Sequence, residues 1–371
     1  MINALVITLL IVSIFYFFNI LYFIFGIIKL KNDEYNNYTE PVSVIIAVYN
    51  GADSLNRLLH QLSNQIYSNK IEFIIVDDMS TDQTKEMIEK HVLNDNRFVY
   101  VASDEGSLAL SYKKRALDAG IKKSKYDILL FTDVDCEIGP KWVKYMVSKF
   151  SDNNVEYIVG FSYVHNQYIT NLVSKFQQVD FFILMITAFS CLNNQKPWAC
   201  TGQNQAYRKR LFNRVHGFSA IKNCLQGDDT LFMQTCNNTN NISFSYHPDS
   251  FIITRTEYNL LSFIKQRVRW AGDANIMWKF NKNLFIMIVS TFLINSFIIF
   301  LGFFVESKLV ILILSIKLIT EYILFYCGNK KFNLNIKSIN YLKWSILQFP
   351  YIFVMGISSF FTNYLINWKS K

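Results

Sequence analysis

Four stretches of this chain are too apolar and too long to leave in water. Residues 3–28 carry no charged side chain, and residues 284–305, 308–327 and 344–367 form three further runs near the other end. Each run reaches the ~20 residues that a helix needs to cross ~30 Å of hydrocarbon. A helix is the form expected there, because it satisfies its own backbone polar groups. A cleaved leader is a poor reading of residues 3–28. No basic residue precedes the run, the run is too long, and no small-x-small cleavage site follows. Lys29 and Lys31 flank its end, and Lys330, Lys331, Lys337 and Lys343 crowd the segment between the last two runs. By the positive-inside rule both flanks face the cytosol. The reading is residues 1–30 as an N-terminal transmembrane helix, 31–283 as a cytosolic domain and 284–371 as about three further helices. Lys369 and Lys371 would then lie outside, against the rule, unless one late run is re-entrant. Lys317 and Glu321 stand four residues apart within the third run, on one helix face. An ion pair turned into the bundle and a polar lining for a substrate path both fit them.

Composition narrows the classes. The 371 residues are 51% hydrophobic and 18% charged, against about 25% charged in a typical soluble domain. Glycine and proline are scarce, which excludes collagen-like and low-complexity chains. The formal charge is +9, yet no basic block or aromatic-interleaved RNA motif occurs. An anionic membrane surface and an anionic phosphate substrate account for that charge, and nucleic acid is not an expected partner. The six cysteines show no C-x-x-C spacing and read as reduced thiols, not a zinc site. The histidines have no ligand spacing. The sequons at Asn37, Asn237 and Asn241 would be cytosolic and therefore unglycosylated.

Between the apolar ends the pattern changes. Residues 42–48, 71–76 and 127–131 are short continuous runs rich in Val, Ile, Leu and Phe, with helical patterns between them. Such runs suit strands buried on both faces of a parallel sheet, so the fold class is α/β and doubly wound. Ligands in such sheets bind beyond the carboxyl ends of the strands. Tyr49-Asn50-Gly51 follows the first run, Asp77-Asp78 the second and Thr132-Asp133-Val134-Asp135 the third. One Asp after a strand is an ordinary cap. Carboxylates after two neighbouring strands are a pattern. Asp133 and Asp135 are hard oxygen donors of the kind Mg²⁺ or Mn²⁺ takes while sharing its shell with substrate phosphates. Phe181 to Phe189 form a short apolar run that reads as too short to span, lying at the membrane interface or in a core.

Residues 42–50, Val76-Asp77-Asp78-x-Ser80-Thr81-Asp82, Asp133-x-Asp135, Gly227-Asp228-Asp229 and Gln266-x-x-Arg269-Trp270 occur in that order. Together they resemble the inverting family 2 glycosyltransferases of GT-A fold over roughly residues 40–275. Gln-x-x-Arg-Trp ahead of late apolar helices is similar to the branch containing cellulose, chitin, hyaluronan and poly-N-acetylglucosamine synthases and ceramide glucosyltransferases. The resemblance implies a nucleotide-sugar donor, UDP-linked, with Val48, Tyr49, Asn50 and Asp78 on its nucleoside. It implies Asp133 and Asp135 on Mg²⁺ or Mn²⁺ beside the diphosphate, and Asp229 as general base. Lys113 and Lys114 precede Ala116-Leu117 as in the family's Gly-Lys-x-x-Ala-Leu stretch, with Tyr112 in the place of Gly; Lys114 is the one implied on the phosphates. Gly202, Gln203 and Asp228 would line the acceptor side with Gln266, Arg269 and Trp270, the arginine suited to phosphate oxygens and the indole to a sugar face. The family's usual Glu-Asp pair is Asp228-Asp229 here. The implied protein is integral to a bacterial cytoplasmic membrane and glycosylates a glycan or lipid on the cytosolic side. Processive polysaccharide synthesis, single-sugar glycolipid transfer and a catalytically silent assembly subunit remain open.

Overall fold

The computed structural model describes residues 2–30, 38–236, 242–301 and 307–362. The sequons at 37, 237 and 241 and the lysines at 369 and 371 lie outside them. Along the chain run α1 (Ile2–Ile28), β1 (Val42–Val48), α2 (Ala52–Ser63), β2 (Ile71–Asp77), α3 (Thr84–Asn94), β3 (Phe98–Ala102), α4 (Lys113–Lys123), β4 (Ile128–Phe131), β5 (Glu137–Ile138) and α5 (Trp142–Val147). They are followed by β6 (Tyr157–Gly160), β7 (Ser162–Val164), α6 (Leu172–Asn193), β8 (Gln205–Arg208), α7 (Lys209–Arg214), α8 (Thr230–Cys236), β9 (Ile242–Ser245) and β10 (Ile252–Thr254). The chain then becomes helical: α9 (Leu260–Ala274), α10 (Met277–Phe280), α11 (Lys282–Leu301), α12 (Ser307–Phe332) and α13 (Ser338–Ser358).

Two compact units result, one of residues 31–164 and 197–255, the other of residues 1–30, 165–196 and 256–371. These units divide the chain differently from the expected boundaries at 30 and 283. Residues 165–196 and 256–283 join the helical unit because α6 is a long apolar helix that packs with α1 and α13.

The strand unit is built as its apolar runs require. Its main sheet has the order β3-β2-β1-β4-β8-β6-β9, with a small second sheet β5-β10-β7. The first four strands of that order are mutually parallel, Val42 pairing with both Ile71 and Ile128. β8 then runs antiparallel to β4, so that Gln205 faces Phe131. α2 covers one face with Leu55, Leu58, Leu59 and Leu62, all fully buried against Val44, Ile46, Phe73 and Ile75. Each such leucine contributes about 1.5–3 kcal/mol of transfer free energy. α4 lies on β1 and β2, and Gly120 permits the approach: a Cβ there would stand 2.5 Å from Ile45 Cγ2 and 2.9 Å from Val76 Cγ2.

Within the helical unit, five helices are long and apolar enough to cross a membrane: residues 5–28, 172–193, 282–300, 308–332 and 338–361. Four match the sequence expectation. The fifth is α6, which corrects the reading of 181–189 as too short: the helix continues through Gln177, Gln178 and Asp180, which are buried within it. α1 and α6 meet closely. A Cβ at Gly26 would fall 2.1 Å from Ser190 Oγ, and that hydroxyl donates to Phe23 O at 2.7 Å. Small and hydroxylated residues make such seams between apolar helices. Lys317 and Glu321 are buried and 2.8 Å apart. Tyr16 also donates to Glu321 Oε1, and Gln348 Nε2 donates to Oε2 at 2.9 Å. Both carboxylate oxygens are thereby occupied, which favours the ion pair over the polar lining.

Candidate active site

The candidate residues of the strand unit gather where the sheet order brings them, at the carboxyl ends of β2, β1 and β4. The loop after β1 turns at Asn50, whose φ is +47°. Its Oδ1 accepts from Thr81 N at 2.8 Å, its own N–H donates to Ser80 Oγ at 2.9 Å, and Gly51 N donates to Thr84 Oγ1 at 2.9 Å. Asp78 N donates to Val48 O at 2.7 Å. Val48, Tyr49 and Asn50 are thus laced to the segment of Asp78, and the Ser-Thr-Asp cluster does the lacing. The expected nucleoside residues form one rim.

β4 ends beside β1, and Asp133 follows it. Because Gln205 faces Phe131, the residues ahead of β8 run past the same strand end. That register brings Gly202 to the aspartates. Gly202 N donates to Asp229 Oδ2 at 3.2 Å, and a Cβ on Gly202 would stand 3.2 Å from Asp228 Oδ2 and 3.3 Å from Lys113 Nζ. Gln203 Nε2 donates to Thr254 Oγ1 at 3.0 Å, while its buried Oε1 has no hydrogen-bond partner among the described residues. Asn204 is fully buried and structural: Nδ2 donates to Phe161 O and Ser250 O at 2.9 Å, and Oδ1 accepts from Trp142 at 3.0 Å.

Lys113 is the hub. Its ammonium lies 2.7 Å from Asp133 Oδ1 and 3.1 Å from Asp228 Oδ2. Burial alone would favour loss of its proton, but the two carboxylates outweigh burial and hold it above the ordinary ammonium value. Asp229 moves the other way. Burial first, and the Asp228 charge second, push its carboxyl up to about 6. Thr230 N, Gly202 N and Lys113 oppose that rise in part. Thr230 also closes a reciprocal bridge, its hydroxyl donating to Cys200 O at 3.0 Å and accepting from Cys200 N at 3.1 Å. The sequence reading overlooked Thr230; its only signal is a hydroxyl immediately after an Asp-Asp pair at a helix start.

Lys114 corrects the expectation that it contacts the phosphates. It is 1% exposed, and its ammonium donates to Cys224 O at 2.5 Å and Gln226 O at 3.1 Å. It anchors the segment that leads into Gly227-Asp228-Asp229. The lysine that reaches the aspartates is its neighbour, Lys113. Tyr112, in the place of the family's glycine, holds φ +58° and ψ −148° as the cap of α4, a backbone region that glycine favours.

Among the described residues, no three His, Cys, Asp or Glu side chains converge as a metal-holding group. Asp133 and the exposed Asp135 nevertheless suit a divalent cation that fills its shell from substrate, since Mg²⁺-type sites use one or two carboxylates plus phosphates. Lys113 Nζ already stands on Asp133 Oδ1, so such a cation would share that carboxylate with the ammonium or displace it.

Gln266, Arg269 and Trp270 belong to the helical unit. They share one face of α9, all half-buried, and Gln266 Nε2 donates to Glu257 Oε1 at 2.9 Å.

Residues 43–215 match the family model described as Glycosyl transferase family 2. Glycosyltransferase AglE of Haloferax volcanii is 34% identical over 122 residues, 32% of this chain and 38% of that protein. Glycosyltransferase GlyG of Streptococcus pneumoniae is 24% identical over 186 residues, 48% and 60% of the two chains. The poly-beta-1,6-N-acetyl-D-glucosamine synthase of Staphylococcus aureus is 28% identical over 147 residues, 39% and 34%. The chain thus spans between 34% and 60% of the length of these relatives. Among solved structures, the mannosyltransferase PcManGT from Pyrobaculum calidifontis, in complex with GDP-Man and Mn²⁺, superposes with a TM-score of 0.63 at 15% identity, covering 100% of this chain and 98% of that one. At that identity the likeness is one of fold, and the fold is GT-A with several helices apolar enough to cross a membrane.

Proposed function

We propose that this protein is a membrane-embedded inverting glycosyltransferase that moves a sugar from a nucleotide-sugar, UDP-linked by the sequence resemblance, to a glycan or lipid acceptor at the cytosolic face. The observation that carries the reading is the arrangement around Lys113. A cation shared by Asp133 and Asp228 stands within the same cluster as a carboxyl, Asp229, whose proton affinity is raised toward neutrality.

In this reading Val48, Tyr49, Asn50 and Asp78 hold the nucleoside. Lys113 exchanges a carboxylate for the donor diphosphate, so that its charge meets the negative charge of the leaving group. Asp133 and Asp135 would hold Mg²⁺ or Mn²⁺, which supplies further neutralisation of that diphosphate when bound. The acceptor hydroxyl attacks the anomeric carbon from the face opposite the diphosphate. One C–O bond forms, the C–O bond to phosphate breaks, and the hydroxyl proton passes to Asp229. One displacement inverts the centre. Gly202, Gln203 and Asp228, with Gln266, Arg269 and Trp270, are assigned to the acceptor side. Asp228 there serves the hub rather than the acceptor directly, since Lys113 stands on its carboxylate.

The test is nucleotide release by the full chain in nanodiscs, over a panel of UDP- and GDP-sugars with Mn²⁺ or Mg²⁺ and added membrane lipids. Donor-dependent release that Asp229→Asn abolishes is expected, and product sizing then separates a polymer from a glycolipid. Release that persists undiminished in Asp229→Asn would sink the mechanism. Absence of release with every donor would favour a silent assembly subunit.

A further inference from the structure

Arg267 lies inside the Gln-x-x-Arg-Trp stretch, at a position the motif leaves undefined. It is 3% exposed, the least accessible of the stretch's polar residues. Its Nη2 lies 3.0 Å from Asp180 Oδ2 on α6. Its guanidinium carbon stands 4.1 Å from the centroid of the Trp270 ring and 5.1 Å from that of Phe263. Nε and Nη1 find no hydrogen-bond acceptor among the described residues. A buried guanidinium that leaves two nitrogens without acceptors is placed for its ring contacts, because a π face is what remains to attract it. The other end of the chain of contacts is fixed as well. Trp344 Nε1 on α13 donates to Asp180 Oδ1 at 3.4 Å, and the Tyr351 side chain meets the same carboxylate. Asp180 is thus held from α13 and holds Arg267, and the Arg267 guanidinium carbon stands over the Trp270 ring. Three helices of one unit converge on the attitude of one indole.

We propose that Arg267 is a positioning residue that fixes the Trp270 ring, with Asp180 as its anchor. This rests on the proposed function for its catalytic consequence: if Trp270 is the platform under an acceptor sugar, the stack sets the platform's tilt. The alternative is a tie that joins helices and leaves the ring indifferent. Arg and Lys separate the two, since Lys keeps the charge on Asp180 but has no planar fork to stack.

The test uses the full chain in nanodiscs, labelled with 5-fluorotryptophan. Six tryptophans give six ¹⁹F lines, and Trp270→Phe assigns one of them. In Arg267→Lys the Trp270 line is expected to shift and broaden while the Trp344 line stays, because the ion pair on Asp180 survives. Kinetically, Arg267→Lys should lower kcat roughly tenfold with donor KM within about twofold, and should add less than about twofold in the Trp270→Phe background, since residues that act through one another are not additive. Should Arg267→Lys fail to fold, the neutral pair Arg267→Gln with Asp180→Asn removes both charges together, and the Trp270 line and the kinetics are read as before, without Trp344 as a reference because Asp180 is its acceptor. An unmoved Trp270 line, or kinetic losses that multiply in the double variant, overturns the proposal. A moved line with Trp270→Phe fully active upholds the positioning and removes instead the acceptor role given to Trp270.

Discussion

Lys113 and Lys317 both neutralise carboxylates, one at the strand ends and one among the long helices, in opposite settings. The Lys113 side chain is 21% exposed and divides itself between Asp133 and Asp228, themselves 28% and 9% exposed. The Lys317 side chain is 0% exposed, and its partner Glu321 is 4% exposed and held by Tyr16 and Gln348 as well. An ammonium with two carboxylates and a solvent side can trade one partner for an incoming anion. One sealed with a single, fully engaged carboxylate cannot, because any exchange leaves a charge unpaired in an apolar setting. The first arrangement suits chemistry and the second holds helices together.

Substitutions that keep the two settings apart test this. The largest effect belongs to the carboxylate the hub surrounds: Asp229→Asn should lower the rate of nucleotide release about 10²–10⁴-fold, the range for loss of a general base. Its folded state should gain, since a carboxyl raised above its unfolded value contributes stability that is present below about pH 4 and lost as pH rises through about 6. Asparagine escapes that loss, so the thermal midpoint of the variant should exceed that of the parent at pH 7.5 and not at pH 4. Next, Lys113→Met should cost roughly 10²–10³-fold in kcat, as for removal of one electrostatic group at a reacting site, with a smaller loss of thermal midpoint than Lys317→Met because solvent reaches Asp133. Lys317→Met should do the reverse: a loss of about 3–5 kcal/mol in stability, the usual result of stranding one partner of a buried pair, with the surviving folded protein turning over normally. If Lys113→Met unfolds the protein while Lys317→Met silences it, the contrast is inverted and the assignment with it.

Smaller effects sharpen the picture. As the proposed base, Asp229 acts only when ionised, and burial and the Asp228 charge push its carboxyl up to about 6, so kcat/KM should fall about tenfold between pH 7 and pH 5. A flat profile over that interval would remove Asp229 as the base. Smallest is Tyr112→Gly, which relieves the left-handed backbone at the cap of α4. A gain near 1 kcal/mol, seen as a rise of roughly 2–4 °C in thermal midpoint, is the expectation.

Much of the strand unit was legible because its signals are local. Continuous apolar runs made strands, and Asp78 and Asp133 sat where parallel strands end. What the sequence hid was direction. Lys113 and Lys114 are neighbours, and about 100° of helix rotation separates a side chain that reaches the carboxylates from one that turns to the carbonyls of Cys224 and Gln226. Nothing in Tyr-Lys-Lys-Arg says which is which. α6 was hidden for a different reason. Gln177, Gln178 and Asp180 break its apolar run, yet each finds a partner inside the helical unit: Gln177 the backbone of Glu257, Gln178 the side chain of Asn166, and Asp180 the guanidinium of Arg267. Polar residues satisfied by distant segments look, in a window of sequence, like the end of a span. The compact units divide the chain elsewhere than at 30 and 283, since α6 and α9 lie in the middle of the chain but pack with the helices at its ends.

The seam of Gly26 and Ser190 has a consequence for biosynthesis. Ser190 lies 164 residues after Gly26, so α1 emerges well before the helix it packs against. At about 5–20 residues per second, translation takes roughly 8–33 s to deliver α6. With the proposed membrane placement, lipid would cover the bare flank at Gly26 during that interval. A Gly26→Leu chain should therefore insert normally and fail later, at the assembly of helices already in place.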